Sequence, residues 1–157
     1  MGAGLAILDA HGSKEPWLSF TIPGGARGKG RPKFARTAKG VRTYNDEKTA
    51  AYEGLVAHAA MQVLGRIQPT GQPVILHLVI RMTPPASASK RKRAEMLAGE
   101  RFPIVKPDAS NVLKAVEDGL NKVAYGDDAQ IVRIVVSKVY DEIPGVDACV
   151  TLVGDAP

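Results

Sequence analysis

One segment, QPVILHLVIRM at residues 72–82, constrains the fold of this chain more than any other. Its apolar side chains alternate on both faces, with Val74, Leu76, Leu78 and Ile80 on one side and Ile75 and Val79 on the other. Successive residues of a strand point to opposite faces, so a strand that is apolar on both is covered on both. The segment therefore predicts a central strand, which Pro84-Pro85 ends.

The rest of the chain predicts helices and further strands around it. We expect strands at residues 17–22, 133–138 and 146–153, the last two joined through Pro144-Gly145, and a basic hairpin of residues 33–35 and 42–44 around Gly40. Asn45 is predicted to cap a helix over residues 46–64, and Ser87 or Ser89 a shorter one. In the long helix, apolar residues recur at helical spacing: Tyr52, Leu55, Val56, Ala59 and Val63. This order predicts a compact single α+β domain over residues 1–157, a mixed sheet with helices packed on it, in which residues 1–16 can form a flexible extension.

Residues 106–130, KPDASNVLKAVEDGLNKVAYGDDAQ, hold most of the candidate chemistry. A helix is predicted after Pro107, with an apolar stripe of Leu113, Val116 and Leu120. The same spacing places a polar set on a different face, namely Asn111, Lys114 and Asp118. One face can pack while the other is free for chemistry.

Separated carboxylates in this segment favour a divalent metal and phosphodiester chemistry. Asp108 precedes the helix, Asp118 lies on it, and Asp127 and Asp128 follow it before a β-branched run. Carboxylate oxygens are hard ligands that suit Mg²⁺ or Mn²⁺. Simpler roles stay open: an N-cap for Asp108 or Ser110, an acidic turn for Asp127-Asp128, and an ion pair of Asp118 with Lys114.

The segment resembles the signature of the RusA-type Holliday junction resolvases, a pattern close to K-P-D-x-D-N-x-x-K-x-x-x-D-x-L-N followed by D-D-x-Q-I. The matching residues are Lys106, Pro107, Asp108, Asn111, Lys114, Asp118, Leu120, Asn121, Asp127, Asp128, Gln130 and Ile131. Residues 22–44 resemble the Gly-rich, basic entry segment of the same family. Ser110 stands where the family has its second aspartate.

The resemblance implies a nuclease that cuts branched DNA, most of all four-way junctions, as a two-fold dimer. It implies that Asp108 and Asp128 are metal-binding catalytic carboxylates and that Lys114 acts as a base or contacts phosphate. Mg²⁺, or Mn²⁺, would be held by Asp108 and Asp128 with help from Asp127 and Ser110, while Asp118 would support the site and Asn111 would orient a carboxylate.

Charge is segregated along the chain in a way that fits a nucleic-acid partner. The first 106 residues hold 17 basic and 7 acidic side chains, and the last 51 hold 4 and 9. Basic groups attract phosphates at long range. The candidate DNA contacts are Arg27, Lys29, Arg31, Lys33, Lys90, Arg91, Lys92 and Arg93, although the last four can equally be a solvated helix surface.

Other site classes find little support in the sequence. GGARGKG lacks the spacing of a phosphate-binding Walker loop, and the histidines and the single Cys149 show no zinc spacing. We expect a cytoplasmic protein with no membrane span. Two functional alternatives stay open: a non-catalytic branched-DNA-binding module whose metal site Ser110 has impaired, and a nuclease that prefers flaps or forks.

Overall fold

A mixed four-stranded sheet organises the chain. The computed structural model describes residues 15–44 and 46–154. Its strands are β1 (Leu18–Pro23), β2 (Lys33–Thr37), β3 (Gly40–Tyr44), β4 (Val74–Met82), β5 (Ile131–Tyr140) and β6 (Gly145–Leu152). The sheet has the order β1-β6-β4-β5, with β4 antiparallel to β6 and parallel to β5. The predicted α+β class with a mixed sheet is confirmed.

Strand β4 lies inside the sheet, as its two apolar faces predict. Leu76, Leu78 and Ile80 are buried on one face and Val79 on the other. The two C-terminal strands are also confirmed, but they are not neighbours, because β4 lies between them. A parallel pair needs a crossover connection, and residues 83–130 supply it. The candidate acidic residues all lie in this crossover.

The helices are α1 (Glu47–Leu64), α2 (Lys90–Leu97) and α3 (Ala109–Leu120). Helix α1 packs on β1 and α3 through Tyr52, Val56, Ala60 and Leu64. The prediction that Val63 belongs to this stripe is wrong, since its side chain is 56% exposed. From Tyr52 onwards the buried residues of this helix are four apart, and such positions move slightly further around the helix axis at each step. In the last turn the buried row therefore includes Leu64 rather than Val63. Asp46 occupies the N-cap position of α1 without a side-chain capping bond, and the predicted cap, Asn45, lies outside the described residues.

Helix α3 lies unusually close to α1. It buries Val112, Ala115, Val116, Gly119 and Leu120, whereas Leu113, predicted in the stripe, is only half-buried. A Cβ at Gly119 would lie 2.7 Å from Cβ of Val56 and 2.9 Å from the Glu53 carbonyl oxygen. Only glycine allows this approach, which fixes α3 against the body of the protein.

Two peripheral elements carry much of the positive charge. The predicted basic hairpin is confirmed as β2 and β3, which form a separate two-stranded sheet. Helix α2 starts after Ser89, whose Oγ accepts a hydrogen bond from the Lys92 amide at 3.3 Å, so Ser89 is the cap rather than Ser87. Along residues 15–44 and 46–154, every helix is too short or too polar to cross a lipid bilayer.

Candidate active site

Asp108 lies at the N-terminus of α3, and its carboxylate does not hydrogen-bond to the helix backbone. Asp108 occupies the N-cap position, but its side chain makes no capping hydrogen bond. Asn111 Nδ2 donates to Asp108 Oδ2 at 3.4 Å, which supports the predicted orienting role of Asn111. The alternative that Ser110 caps the helix is wrong, because Ser110 lies in the first turn of α3 and is exposed. Both Asp108 and Ser110 therefore remain available to a ligand.

Lys114 gathers three acidic side chains around its ammonium group. Its Nζ lies 2.8 Å from Asp128 Oδ2, 3.1 Å from Asp118 Oδ1 and 3.8 Å from Glu117 Oε2. The predicted i, i+4 ion pair of Lys114 with Asp118 is thus present. Asp128 arrives from the loop before β5, so this contact joins the helix to the end of the crossover.

Hydrogen bonding and burial shift the pKa values of Lys114, Asp128 and Glu117. Hydrogen bonding to Asp128, reinforced by Asp118, raises the pKa of Lys114 above its ordinary range. The same hydrogen bond lowers the pKa of Asp128. Burial raises the pKa of Glu117 instead. At neutral pH Lys114 is therefore a cation beside an ionised Asp128, and a cation is suited to stabilising phosphate charge rather than to accepting a proton.

Asp127 stabilises the loop that contains Asp128. Its carboxylate accepts from the Ala129 amide at 2.8 Å, and Gln130 Oε1 accepts from the Asp127 amide at 3.1 Å, which completes a capping box around a short 3₁₀ turn, Asp128–Gln130. Gln130 Nε2 also donates to the Thr70 and Gln72 carbonyl oxygens, each at 2.9 Å. Gln130 therefore ties the Asp128 loop to the segment that enters β4.

The supporting role of Gln130 was not predicted, although the sequence contains a signal for it. An Asp followed three residues later by Gln is a capping-box spacing. It is recognisable here as Asp127-x-x-Gln130. The contacts of Gln130 with residues 70 and 72 have no such signal, because they depend on the tertiary fold.

The glycine-rich segment at residues 28–30, here called the strap, joins α1 to α3. The Lys29 amide donates to the Asn111 carbonyl oxygen at 2.9 Å, and the Gly30 amide donates to Thr49 Oγ1 at 3.0 Å. A Cβ at Gly28 would lie 2.8 Å from Cβ of Asn111, so the strap passes α3 at a distance that only glycine permits.

Lys29 reinforces the strap with its side chain. Its ammonium pairs with Asp118 and lies 3.8 Å from Glu53 Oε1. Asp118 therefore lies between two ammonium groups, those of Lys29 and Lys114. The half-buried Lys29 was predicted as a DNA contact, and the structure instead places it within the ion-pair network that supports the site.

A groove of about 680 Å³ opens beside Asp108. It is lined by residues 25–29, by residues 106–108 and by Asn111. Arg27 and Lys106 add positive charge to a wall that also contains the Asp108 carboxylate. A cleft with cationic walls and one acid can accept a phosphodiester backbone.

The remaining predicted DNA contacts lie at different places. Arg31 is exposed after the strap, and Lys33 forms an ion pair with Asp46 at 2.8 Å. Lys90, Arg91, Lys92 and Arg93 occupy the exposed first turn of α2, where Arg91 pairs with Glu95. Four cations at a helix N-terminus oppose the helix dipole, so their position is not explained by helix stability.

The candidate metal ligands have suitable chemistry but are not gathered into one cluster. Asp108, Asp128 and Ser110 offer the oxygen donors that Mg²⁺ or Mn²⁺ prefers. Over the described ranges 15–44 and 46–154, no three His, Cys, Asp or Glu side chains come together closely enough to hold a metal ion. Asp128 instead directs an oxygen at Lys114, and Asp127 caps the 3₁₀ turn.

Two comparisons with known proteins found a match, one to a protein family and one to a relative of similar length. The family model described as endodeoxyribonuclease RusA matches residues 23–151. A protein of Bacillus subtilis (strain 168), described as uncharacterized protein YqaN, is 33% identical over 135 residues, which cover 85% of this chain and 94% of that protein. The matched region contains the strap, the groove and every candidate acidic residue.

Proposed function

Because this chain belongs to the RusA endodeoxyribonuclease family, we propose that it is a metal-dependent endonuclease that cuts branched DNA. Four-way junctions are the main substrate, and the reaction is symmetric hydrolysis of phosphodiesters in DNA recombination and repair. Asp108, Lys114 and Asp128 are the catalytic residues of this proposal. The observation that carries it is a cationic Lys114 held by Asp128 and Asp118 on the helix whose N-cap, Asp108, borders a basic groove.

Each side chain has a role that follows from its surroundings. Lys114 is held as a cation and stabilises the negative charge that develops on the attacked phosphate. Asn111 orients Asp108. The Gln130 side chain positions Asp128 through the hydrogen bonds that it makes with backbone groups. Asp108 and Asp128, with support from Ser110 and Asp127, would hold Mg²⁺ or Mn²⁺, and the ion would supply Lewis-acid polarisation of the phosphate.

The direct test uses a labelled mobile four-way junction with Mg²⁺ or with EDTA. We expect paired symmetric cuts with Mg²⁺ and none with EDTA. Asp108→Asn and Asp128→Asn should lose cleavage by at least about 100-fold and keep junction binding, since an amide preserves shape but removes the anionic ligand. Cleavage by both variants at the wild-type rate would contradict these assignments.

A matched control is available at the far end of β5. Asp141 Oδ1 accepts from the Ile143 amide at 3.1 Å, and the amide oxygen of Asn can accept the same bond. Asp141→Asn therefore makes the same chemical change at the opposite end of β5 from Asp128, about 30 Å away along the strand. This variant should cut normally.

A non-catalytic branched-DNA-binding module is the second candidate function. Two observations favour it: Asp128 is paired with Lys114, and in the described part of the chain no three His, Cys, Asp or Glu side chains are placed to hold a metal ion. Binding of junctions without cleavage under any divalent metal would select it. Flaps and forks belong in the same assay, because cleavage of these in preference to junctions would select the broader nuclease.

Symmetric resolution needs two active sites, so we propose a two-fold homodimer. Strand β5 pairs only with β4 among the described strands and exposes Val132 and Ile134, 61% and 43%. Ile104, 94% exposed, adds apolar surface in the crossover. Sedimentation equilibrium should give a dimer, and Ile134→Asp should shift it towards monomer if this edge forms the contact.

A further inference from the structure

The hairpin of β2 and β3 exposes apolar side chains that the active site does not use. Phe34 is 71% exposed, Val41 62% and Tyr44 52%. Neither strand has more than marginal contact with another helix or strand, so the hairpin projects from the body. Exposed aromatic side chains on a projecting element are costly in water and mark a binding surface.

The register divides the hairpin into two mixed faces. Phe34 is opposite Thr43 and Arg36 is opposite Val41, so these four share one face. Lys33 and Tyr44 are paired on the other face. Residues 33–44 contain four basic side chains, Lys33, Arg36, Lys39 and Arg42, and no acidic one. Each face therefore combines apolar and cationic groups.

This combination selects DNA over a second copy of the chain as the occupant. Two such hairpins brought together would place like charges in contact, in a chain whose net charge is already +5. Phosphates neutralise the charge, and bases offer flat surfaces for Phe34 and Tyr44. A two-stranded ribbon also fits the major groove.

The position of the hairpin relates it to the active site. Lys33 follows the strap residue Gly30 by three positions, so β2 begins within about 11 Å of the strap, which itself contacts Asn111. Five-residue strands extend about 17 Å further. DNA seated in the groove beside Asp108 is within reach of the hairpin.

We propose that the hairpin is a DNA-inserting arm and that Phe34 stacks on a base at the branch point. This inference rests on the proposed function and names a determinant of its substrate choice. At a branch point strands leave the continuous duplex, so the base step there opens more easily and inserting an aromatic ring costs less than in intact duplex. The arm thereby favours branched over linear DNA.

The test compares Phe34→Ala with Phe102→Ala, a control in which an equally exposed phenylalanine, 62%, lies outside the hairpin. Phe34→Ala should weaken junction binding by about tenfold and duplex binding by less than about twofold, since one base stack is lost. Phe34→Trp should restore junction binding. Phe102→Ala should change neither affinity.

A junction labelled with 2-aminopurine at the branch gives a second readout. The wild type should raise its fluorescence, which reports unstacking, and Phe34→Ala should abolish the rise. If Phe34→Ala lost affinity equally for junction and duplex, or for neither, the proposed role of the hairpin would be wrong. A changed sedimentation coefficient with unchanged DNA affinity would overturn it too, in favour of a subunit contact.

These outcomes are distinct from failure of the proposed function. If the wild type neither prefers junctions nor cuts them with a divalent metal, the nuclease assignment is wrong whatever Phe34 does. If the wild type binds and cuts junctions while Phe34→Ala behaves identically, only the arm is wrong.

Discussion

At the scale of single residues, the ammonium group of Lys114 decides the charge state of the candidate site. It contacts Asp128, Asp118 and Glu117 and leaves Asp108 to the groove. The positive charge of Lys114 thus lies beside these acidic side chains in the free protein. If Lys114 acts as proposed, its substitution should change both cleavage and the titration of Asp128.

Lys114→Met should reduce cleavage by at least about 100-fold and raise the pKa of Asp128 towards its ordinary value. The folded-state pKa of Asp128 is depressed, so its stabilising contribution is present above the unfolded-state pKa and is lost as pH falls through the folded value. The pair is partly exposed, and its contribution is under about 1 kcal/mol. Carbon-detected NMR titration of the metal-free protein measures the midpoint. An unchanged midpoint in Lys114→Met would show that the pair does not persist in solution.

Ser110→Asp tests the departure from the family pattern. The first turn of α3 contains no acidic residue, so a new carboxylate there should stabilise the helix by about 0.3–1 kcal/mol. If Ser110 replaces a metal ligand, the same change should lower the Mg²⁺ concentration for half-maximal cleavage. Thermal unfolding and a Mg²⁺ titration separate the two effects. Ser110→Asn introduces a side chain of the same size as Asp but without its charge. This variant should leave the Mg²⁺ concentration for half-maximal cleavage unaltered.

At the scale of elements, the position of the site depends on the close contact of α1 with α3. Gly119 allows the contact, and its neighbour Asp118 receives both Lys29 and Lys114. A change in the spacing of the two helices would move these ion pairs together.

Gly119→Ala should destabilise the protein although alanine is the better helix former. Alanine gains about 1 kcal/mol of helix propensity, but its Cβ meets Val56 and the Glu53 backbone, and such overpacking costs about 1–3 kcal/mol. Gly54→Ala, in α1, is the control because its Cβ would meet nothing within 4 Å, and it should stabilise. Urea unfolding compares the two, and a stabilised Gly119→Ala would mean that the helices can separate freely.

The elements differ in how far their sequences reveal them. Strand β4, helix α3 and the hairpin were predicted because their periodicity or turn residues are local. The exposed Val63 and the half-buried Leu113 were misplaced, since which side of a helix is covered depends on its partners. The pairing of Lys29 with Asp118 spans 89 positions and has no local signal. Asp118 and Asp128 were easier to anticipate as candidate site residues because they lie close to Lys114 in sequence, whereas Glu117, which also contacts Lys114, was not predicted.

At the scale of the whole molecule, basic side chains occur in separate regions: the groove, the hairpin and helix α2. Arg27 lines the groove, and Arg31 follows the strap in sequence. Within residues 15–44 and 46–154 neither joins the ion pairs of the strap, whereas Lys29 and Lys33 pair with acids. The distinction changes what each substitution should do to DNA binding.

Arg27→Ala with Arg31→Ala should reduce the slope of log K against log salt by about 1.8, because each lost phosphate contact lowers it by about 0.9. Cleavage at saturating protein should survive. Lys29→Met should lower stability instead, with a smaller change in the slope. Fluorescence anisotropy at several salt concentrations measures the slope, and an unchanged slope in the double variant would move the DNA path to helix α2.

The strand order also has a consequence for synthesis on the ribosome. Among the described strands, β1 comes first along the chain and pairs only with β6, which comes last, and β4 pairs with β6 on one side. The nascent chain can display α3 and the Asp128 loop, yet it cannot close the sheet that fixes their relative positions until residue 152 has emerged. Helix α3 and the Asp128 loop therefore take their final relative positions only once β6 has been inserted between β1 and β4.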